Sequence, residues 1–219
     1  MREPSRGHKP SSPAPGDSRL NVAFIASAPD LERCPAPDGA EIAIAGRSNA
    51  GKSSVINRLT GSRSTAKVSK TPGRTQLLNF FAVKGGGRLV DLPGYGYAKA
   101  GKRAQQAWQR SVNDFLSNRE TLGGVVLVTD IRHPGQPFDV ELLEWAAASE
   151  MPVLVLLNKA DKLKRNAQHS ALRAMQDALR DMPLAKTELF SAQSGQGCEA
   201  VIGILSEWLA AGQQDDDAQ

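Results

Sequence analysis

A glycine-rich segment that begins at position 46 has the residue types needed to hold phosphate. Gly46, Gly51, Lys52 and Ser53 satisfy the pattern G-x-x-x-x-G-K-[ST] between a short apolar run and an amphipathic stretch. Glycines let backbone N–H groups close around an anion, the lysine reaches the β and γ phosphates of a nucleotide, and the serine hydroxyl ligates Mg²⁺. A glycine-rich turn with a surface lysine is the alternative. The predicted phosphate loop consists of Gly46, Arg47, Ser48, Asn49, Ala50, Gly51, Lys52 and Ser53.

A second polar motif, Asn-Lys-x-Asp at Asn158, Lys159, Ala160 and Asp161, follows an apolar run. One carboxylate accepts both N–H donors of guanine, at N1 and N2, so Asp161 makes two hydrogen bonds to guanine and none to adenine. Lys159 can lie along the base plane, and Asn158 can tie this loop to the phosphate loop. A helix-capping turn is the alternative for the motif alone, but after a phosphate loop the motif predicts a guanine nucleotide.

Two further segments, at positions 91–94 and 190–192, also follow expected strands. In the first, the aspartate can hold Mg²⁺ through a water, and the glycine N–H can contact a γ-phosphate and lose it after hydrolysis, which describes a switch. The second can offer backbone N–H groups to guanine O6. Both patterns are common by chance, so their weight comes from order and position. The members of the two segments are Asp91, Leu92, Pro93, Gly94, Phe190, Ser191 and Ala192.

These loops require a scaffold that brings them to one edge. Short β-rich runs alternate with amphipathic stretches, which predicts a three-layer α/β fold with a mostly parallel central sheet. Ligands of such sheets bind at the carboxyl ends of the strands, so the four segments are expected to meet there. The predicted strands are residues 22–27, 41–45, 77–83, 88–91, 125–129, 153–157 and 187–190, and the predicted helices are 52–59, 104–116, 138–147, 167–179 and 198–209.

The composition describes one globular domain with two polar tails. The chain has 219 residues, of which 40% are hydrophobic, 23% charged and 5% aromatic, which excludes collagen, a wholly disordered chain and a disulfide-rich miniprotein. Residues 1–18 are rich in Pro, Ser and Gly, lack an apolar signal-peptide core, and are expected to be disordered. We expect the nucleotide-binding domain at 19–212 and a solvated acidic tail at 213–219.

The cysteines and the apolar runs bear on the cellular compartment. Cys34 and Cys198 lie far apart in the sequence and fit neither a metal-binding pair nor a redox motif, so we expect small packed residues in a reducing compartment. The longest apolar runs are far shorter than the roughly 20 residues that cross a bilayer. We therefore expect a cytoplasmic protein without a membrane partner.

The sequence is similar to the translation-factor-type P-loop GTPases and more narrowly resembles the EngB-type (YihA/YsxC) ribosome-biogenesis GTP-binding proteins of bacteria. Besides the phosphate loop and Asn-Lys-x-Asp, the similarity rests on Thr-Pro-Gly-Arg-Thr-Gln at 71–76, Asp-Leu-Pro-Gly-Tyr-Gly-Tyr-Ala-Lys at 91–99 and Asp-Ile-Arg-His-Pro at 130–134. It covers about residues 20–210. The resemblance implies a P-loop GTPase domain that hydrolyses GTP to GDP and phosphate with Mg²⁺. It also implies a switch role in large ribosomal subunit assembly and a requirement for normal cell division and septation, and we expect a monomer.

Positions carried over from the family complete the predicted site. Ser53 and Thr75 would be the Mg²⁺-binding hydroxyls. Thr71 competes with Thr75, but it precedes a proline that restricts its backbone to extended forms, so it is expected to shape the turn. Asp130 and His133 match the family string, although such a strand end is more often a structural corner than a catalytic site. The implied first switch consists of Gly73, Arg74, Thr75, Gln76 and Leu77.

Tyr95 and Asn49 bear on the rate of hydrolysis. Many GTPases have a Gln after Asp-x-x-Gly that orients the attacking water, whereas this chain has Tyr95. A phenol on a mobile loop substitutes poorly for that amide, so we predict slow intrinsic hydrolysis that an assembly partner or a monovalent cation accelerates. Related GTPases with an asparagine at the position of Asn49 use it to ligate K⁺. A loop-stabilising hydrogen bond is the alternative.

Positive charge is concentrated in the segment that carries the phosphate loop. The net charge of the chain is +4, but residues 42–113 contain thirteen Lys and Arg and one acid, Asp91, which gives +12 there and −8 in the remainder. Nucleotide phosphates need only a few of these cations. The surplus, together with the family resemblance, favours contact with ribosomal RNA of a large-subunit precursor, and a solvated basic face is the alternative.

Two other classes of function stay open on the sequence alone. A phosphotransferase acting on a small acceptor would share the phosphate loop, but it would not need the guanine-reading motif at 158–161. A GTP-binding interaction module without useful turnover is compatible with Tyr95. Single-turnover hydrolysis with and without large-subunit precursors separates the three classes.

Overall fold

Seven strands form one sheet at the centre of the protein in a computed structural model that describes residues 19–62, 65, 77–95 and 102–216. The strands are β1 (Val22–Ala28), β2 (Glu41–Gly46), β3 (Leu78–Val83), β4 (Arg88–Asp91), β5 (Leu122–Asp130), β6 (Val153–Asn158) and β7 (Ala185–Leu189). The helices are α1 (Lys52–Thr60), α2 (Lys102–Asn118), α3 (Pro137–Ala148), α4 (Arg165–Ala178) and α5 (Cys198–Asp216). Short 3-10 helices lie at Leu31–Arg33 and Ala160–Lys162.

The strand order confirms the predicted mostly parallel sheet. Across the sheet the order is β1-β3-β4-β2-β5-β6-β7, and β3 runs antiparallel to both of its neighbours while the other adjacent pairs are parallel. The carboxyl ends of β2, β4, β5, β6 and β7 therefore point to one edge. That edge receives the phosphate loop after β2 and the Asn-Lys-x-Asp motif after β6, as the sequence predicts.

Helices cover both faces of the sheet, which confirms the three layers. One cluster of buried residues joins the sheet to α2, α3 and α4 through Phe115, Leu142 and Met175. The other joins it to α1 and α5 through Val55 and Leu205. Every residue of β2 and of β6 is buried, because strands covered on both faces are apolar throughout rather than alternating.

Most element bounds lie within two residues of the predicted ones, and two differ by more than that. β5 begins at Leu122 rather than at 125, because its glycines allow close packing: a Cβ added to Gly124 would lie 2.5 Å from Cε3 of Trp208. α5 continues past Leu209 to Asp216, through a segment that contains alanine and glutamine, both good helix formers. Among the helices of the described residues, none is long and apolar enough to span a bilayer.

A buried ion network lies at the amino end of β2, away from the predicted site. The Glu41 carboxylate is fully buried and accepts hydrogen bonds from Arg119 Nε and Nη2, both at 2.7 Å, and from Arg88 Nη1 at 3.2 Å. Arg119 and Arg88 also donate to the carbonyls of Pro35 and Ala36, at 2.9 and 2.6 Å. The hydrogen bonds to Glu41 raise the pKa of Arg119. The network fastens the segment before β2 to the sheet.

The two cysteines agree with the predicted packing role. Both are free thiols and half-buried, with Cys34 packed against one buried cluster and Cys198 against the other. Burial raises the pKa of the Cys34 thiol to about 11. Burial also raises the pKa of the Cys198 thiol. Neither thiol is therefore a reactive nucleophile at neutral pH.

Candidate functional site

The predicted phosphate loop joins the end of β2 to the start of α1. Gly51 directly precedes α1 with φ +98, a left-handed conformation that favours glycine. A Cβ at this position would lie 2.5 Å from the Asn158 Nδ2 atom. That amide donates to the Ala50 carbonyl at 2.8 Å, so Asn158 ties the two loops together as the motif predicts. At the other end, a Cβ on Gly46 would lie 2.6 Å from the Val128 carbonyl oxygen, which leaves no room for another residue.

The lysine of the phosphate loop meets the aspartate at the carboxyl end of β4. The Lys52 ammonium donates a hydrogen bond to Asp91 Oδ1, and the two side chains are 10% and 11% exposed. Ser53 is half-buried in the first turn of α1. A hydroxyl and a carboxylate are the oxygen ligands that suit Mg²⁺, so Ser53 and Asp91 fit the predicted ion. Thr75, the other predicted metal ligand, lies outside the described residues, as do Gly73, Arg74 and Gln76.

The segment after β4 lies against the phosphate loop. Ser48 N–H donates to the Tyr95 carbonyl at 2.6 Å, and Tyr95 N–H donates to the Gly46 carbonyl at 3.4 Å. A Cβ on Gly94, the residue before Tyr95, would lie 3.5 Å from the Ser48 nitrogen and 3.6 Å from the Gly46 carbonyl oxygen. The Gly94 backbone is thus held beside the phosphate loop, where the sequence places a switch.

The neighbours of Gly94 in this segment have packing roles. Leu92 and Pro93 are buried, and the Leu92 N–H donates to the Ile44 carbonyl at 3.0 Å. Leu77, at the start of the described segment that leads into β3, is half-buried. Within the phosphate loop, the Arg47 side chain is exposed to solvent, whereas the Ala50 side chain is buried against the protein.

The prediction of a Tyr95 phenol on a mobile loop is wrong, because the side chain is buried and held in place. Tyr95 is 4% exposed, and its hydroxyl donates to Asp139 Oδ1. Its ring packs on Phe138 with centroids 4.1 Å apart. Burial and the Asp139 charge raise the pKa of the phenol well above its usual range. Asp139 also accepts from Thr129 Oγ1 at 3.2 Å and from Gln136 N at 3.1 Å, so α3 begins on the carboxylate that holds Tyr95.

The Asn-Lys-x-Asp motif continues β6 into a 3-10 helix. Lys159 has φ +65 and extends its ammonium back to the Asn49 carbonyl, at 2.6 Å. The Asp161 carboxylate accepts from the Ser191 hydroxyl at 2.7 Å and lies 2.9 Å from Lys162 Nζ. The hydroxyl, and then the ammonium, hold the pKa of Asp161 below its usual range. Asp161 is therefore an ionised acceptor, the state that guanine N–H donors require.

The segment after β7 is predicted to offer backbone N–H groups to guanine O6, and its three N–H groups differ in how strongly they are already hydrogen-bonded within the protein. The Phe190 and Ser191 N–H groups donate within the protein, to Leu157 at 3.0 Å and to Gln196 at 3.1 Å. Ala192 N–H makes a longer contact of 3.4 Å with Asn158 Oδ1. Phe190 is fully buried, so its side chain belongs to the core. Of the three residues, Ala192 presents the most weakly engaged donor, while Ser191 acts through its hydroxyl on Asp161.

At Asp130 the sequence favours a structural corner over a catalytic site. The structure shows the corner and also a contact between Asp130 and the Asn-Lys-x-Asp motif. A turn is present, with His133 N–H donating to the Asp130 carbonyl at 2.8 Å, and the His133 side chain is exposed. In addition, Asp130 Oδ2 lies 2.9 Å from Lys159 Nζ. The signal in the sequence is positional, because Asp130 ends β5 and Asn158 ends the neighbouring β6.

Comparisons with known proteins agree with this arrangement. Residues 41–159 match the family model described as 50S ribosome-binding GTPase. The chain is 46% identical over 200 residues to the probable GTP-binding protein EngB of Pasteurella multocida (strain Pm70), which covers 89% of this chain and 97% of that protein. It is 48% identical over 190 residues to the probable GTP-binding protein EngB of Nitrosococcus oceani, covering 86% and 95%. A crystal structure of a probable GTP-binding protein engB matches with a TM-score of 0.62 and 25% identity, covering 78% and 99%.

The matched region contains the phosphate loop, Asp91 and the Asn-Lys pair of the guanine motif. Identity extends over nearly the whole length of both curated relatives, so it is not confined to a shared nucleotide motif. The resemblance in the sequence is thereby confirmed. The chain belongs to the EngB-type GTP-binding proteins, a family of P-loop GTPases.

Proposed function

We propose that this GTPase is a GTP-operated switch in the assembly of the large ribosomal subunit. The observation that carries the switch is the pair of backbone hydrogen bonds that joins Tyr95 to the phosphate loop at Ser48 and Gly46. Gly94 directly precedes Tyr95, so movement of the Gly94 N–H group to bind the γ-phosphate would disturb these contacts. Gain and loss of the γ-phosphate are thereby transmitted to the segment that follows β4.

Residues of the phosphate loop, together with Asp91 at the end of β4, supply the charges and dipoles for phosphate binding. Ser53 and Asp91 would hold Mg²⁺, which neutralises negative charge on the phosphates when bound. Lys52, now paired with Asp91, is positioned to contact the β and γ phosphates. The amino terminus of α1 adds N–H donors and a positive dipole end beside the same anion. Thr75 remains the proposed second hydroxyl ligand.

Asp161 is proposed to select guanine. Its ionised carboxylate accepts the N1 and N2 donors of the base, and adenine offers neither donor. Sites built on such hydrogen bonds discriminate by about 10⁴-fold or more. The test is competition of unlabelled GDP, IDP and ADP against a fluorescent GDP analogue, because IDP lacks the 2-amino group and ADP lacks both donors. Affinity in the order GDP, IDP, ADP supports the proposal, and equal affinities would contradict it.

Large-subunit assembly is supported by the description of the matched family, 50S ribosome-binding GTPase, and by the basic segment 42–113. The direct test is single-turnover hydrolysis with and without purified large-subunit precursors. Acceleration by the precursors supports the switch. Phosphoryl transfer to a small acceptor, or no hydrolysis in either condition, would refute it in favour of a kinase or of a binding module.

Contact with ribosomal RNA predicts that binding to precursor particles depends on salt concentration. Each neutralised phosphate releases counterions, so affinity for precursor particles should fall steeply as salt rises. Neutralising Lys67, Lys70 and Lys99 together should weaken binding and flatten that salt dependence. In cells, we propose that depletion causes large-subunit precursors to accumulate and disturbs division and septation. Normal subunit profiles after depletion would contradict the assembly role.

Potassium is proposed to accelerate the slow intrinsic hydrolysis through Asn49, whose side chain is exposed in the phosphate loop. Because Tyr95 is engaged with Asp139, it is not positioned to orient the attacking water as a glutamine would. Replacing Na⁺ by K⁺ should raise turnover, and Asn49→Ala should remove that increase. Turnover that does not respond to the cation, with no effect of Asn49→Ala, would refute the potassium role and leave the loop-stabilising hydrogen bond.

A further inference from the structure

The carboxylate at the end of β5 contacts the guanine-reading loop. We propose that Asp130, oriented by Arg132, is a positioning residue that holds the Lys159 ammonium over the phosphate loop and so fixes the Lys159 methylene chain for contact with guanine. The inference rests on the proposed role of Lys159 along the base plane. It assigns a task to two residues of the Asp-Ile-Arg-His-Pro string at 130–134, to which the proposed function gives no role.

The strand register brings Asp130 to Lys159. Asp130 and Asn158 are paired at the ends of the parallel strands β5 and β6, and Ile131 N–H donates to the Asn158 carbonyl at 2.9 Å. Lys159 then takes a left-handed backbone conformation, with φ +65. Its ammonium reaches two acceptors on different elements, Asp130 Oδ2 at 2.9 Å and the Asn49 carbonyl at 2.6 Å. The two contacts anchor the far end of a side chain that otherwise has many rotamers.

Arg132 fixes the orientation of the Asp130 carboxylate. Its guanidinium donates from Nε to Oδ1 at 2.9 Å and from Nη2 to Oδ2 at 2.7 Å, and its backbone N–H donates to Oδ1 at 3.1 Å. A forked guanidinium–carboxylate pair fixes the plane of the carboxylate. Arg132, and then Lys159, hold the pKa of Asp130 well below its usual range, so it stays an acceptor through the physiological range. The Asp130 side chain is 14% exposed, which limits screening of its pairing with Lys159 by solvent.

Loss of this carboxylate has a defined consequence for nucleotide binding. Without Asp130 the Lys159 ammonium keeps one neutral carbonyl acceptor and samples more rotamers. Guanine would then have to order the side chain on binding, and a poorly anchored side chain releases the base sooner. We expect Asp130→Asn to weaken GDP affinity about tenfold, chiefly through faster dissociation.

The experiment is a double-mutant cycle on nucleotide affinity in the full chain. Equilibrium binding and dissociation of a fluorescent GDP analogue are measured for the parent, Asp130→Asn, Lys159→Met and the double variant. Methionine keeps an unbranched apolar side chain and removes the ammonium. If Asp130 acts through Lys159, Asp130→Asn costs about tenfold in the parent and less than about twofold in the Lys159→Met background. An equal loss in both backgrounds means that Asp130 only shapes the turn, which overturns the inference.

Two controls keep the result interpretable. Asp177→Asn makes the same change in an exposed aspartate of α4 that pairs with Arg180 at 2.8 Å, and it should leave GDP affinity unchanged. Asp130→Glu keeps the charge, so it should recover part of the affinity that Asp130→Asn loses. If Asp130→Asn does not fold, Asp130→Glu and Lys159→Met still form a cycle with their double variant, and a loss with glutamate that persists in the methionine background overturns the inference.

The inference and the proposed function fail in different ways. If the parent protein binds GDP and ADP equally, the guanine-reading loop does not act as proposed and both fail. If the parent prefers GDP but Asp130→Asn binds it as tightly as the parent does, the positioning role alone fails. Preference for GDP, together with loss of affinity that depends on Lys159, supports both.

Discussion

Removing one hydroxyl group, with Tyr95→Phe, tests the connection between the segment after β4 and helix α3. The substitution keeps the ring on Phe138, where the centroids are 4.1 Å apart, and deletes the O–H donated to Asp139. Asp139 keeps its contacts with Thr129 Oγ1 at 3.2 Å and Gln136 N at 3.1 Å. The carboxylate therefore loses one of these three donors and is not left without partners.

The magnitude follows from burial. Tyr95 is 4% exposed and Asp139 2%, so water does not readily replace the missing donor. Hydrogen bonds to charged groups contribute about 1.5–3 kcal/mol, and the two remaining donors keep the loss below that of an orphaned carboxylate. We expect the free energy of unfolding to fall by about 2 kcal/mol. Thr129→Val removes a contact of 3.2 Å to the same carboxylate, longer than the roughly 2.5–2.7 Å usual between a hydroxyl and a carboxylate, so it is the matched control and should cost less.

Urea unfolding at pH 7.5, followed by tryptophan fluorescence, measures this change, and Trp145 lies on the same helix as Asp139. The slope of the free energy of unfolding against urea concentration should be the same in the variant, because the surface exposed on unfolding is the same. A cycle with Asp139→Asn isolates the pair, and its coupling free energy should account for most of the loss. A change below about 0.5 kcal/mol, or equal losses in the parent and in the Asp139→Asn background, would refute the role assigned to the hydroxyl.

The same contact has a defined pH dependence. The pKa of Tyr95 is raised in the folded protein above its value of about 10 in the unfolded chain. A group with a raised folded pKa contributes stability that is fully present below the unfolded pKa and is lost as pH rises toward the folded one. The stability difference between the parent and Tyr95→Phe should therefore be constant through neutral pH and shrink above about pH 10. A difference that grows in alkali would contradict the assignment.

Three further changes probe the rest of the structure. Arg119→Met leaves the buried Glu41 carboxylate with one cation fewer and should lower the free energy of unfolding by about 3–5 kcal/mol, which urea titration measures and an unchanged midpoint would exclude. Gly51→Ala places a Cβ 2.5 Å from Asn158 Nδ2 at a backbone φ of +98, so GDP affinity, measured by fluorescence, should fall by about tenfold or more. Parent-like affinity would show that the loop tolerates the methyl group. With its pKa raised to about 11, Cys34 should react with iodoacetamide at pH 7.5 on the order of 100-fold more slowly than in unfolded chain, as peptide mass spectrometry would show, and equal rates would contradict its burial.

The scaffold was predictable because its signals are local. Every residue of β6 is buried, so the strand is visible in the sequence as an uninterrupted apolar run. The phosphate loop is recognisable because a strand precedes it and a helix follows it directly. Parallel strands joined by crossover helices place the loops at one edge of the sheet, as the structure has them. Each of these inferences needs only neighbouring residues and the general rules of α/β sheets.

The contacts that hold the site are not local, which is why residue types alone mislead. The sequence predicts the Tyr95 phenol on a mobile loop, whereas in the structure α3 brings the Asp139 carboxylate to it. Arg119, directly after α2, is only 9% exposed and pairs with the fully buried Glu41, which its residue type does not indicate. In both cases the deciding partner comes from a distant element, and its position depends on how the helices pack on the sheet.

The end of β5 shows how one strand can serve both halves of the site. Successive side chains of a strand point to opposite faces, so Thr129 lies on the face of Val125 and Leu127, which pack toward α2, α3 and α4. Asp130 lies on the face of Val126 and Val128, which pack toward α1 and α5. The first residue therefore reaches the carboxylate that holds Tyr95, and the second reaches the lysine of the guanine motif. Two adjacent residues of β5 thus support the Asn-Lys-x-Asp motif and the segment after β4 through separate side-chain contacts. What the two parts of the site share is the backbone at the end of β5.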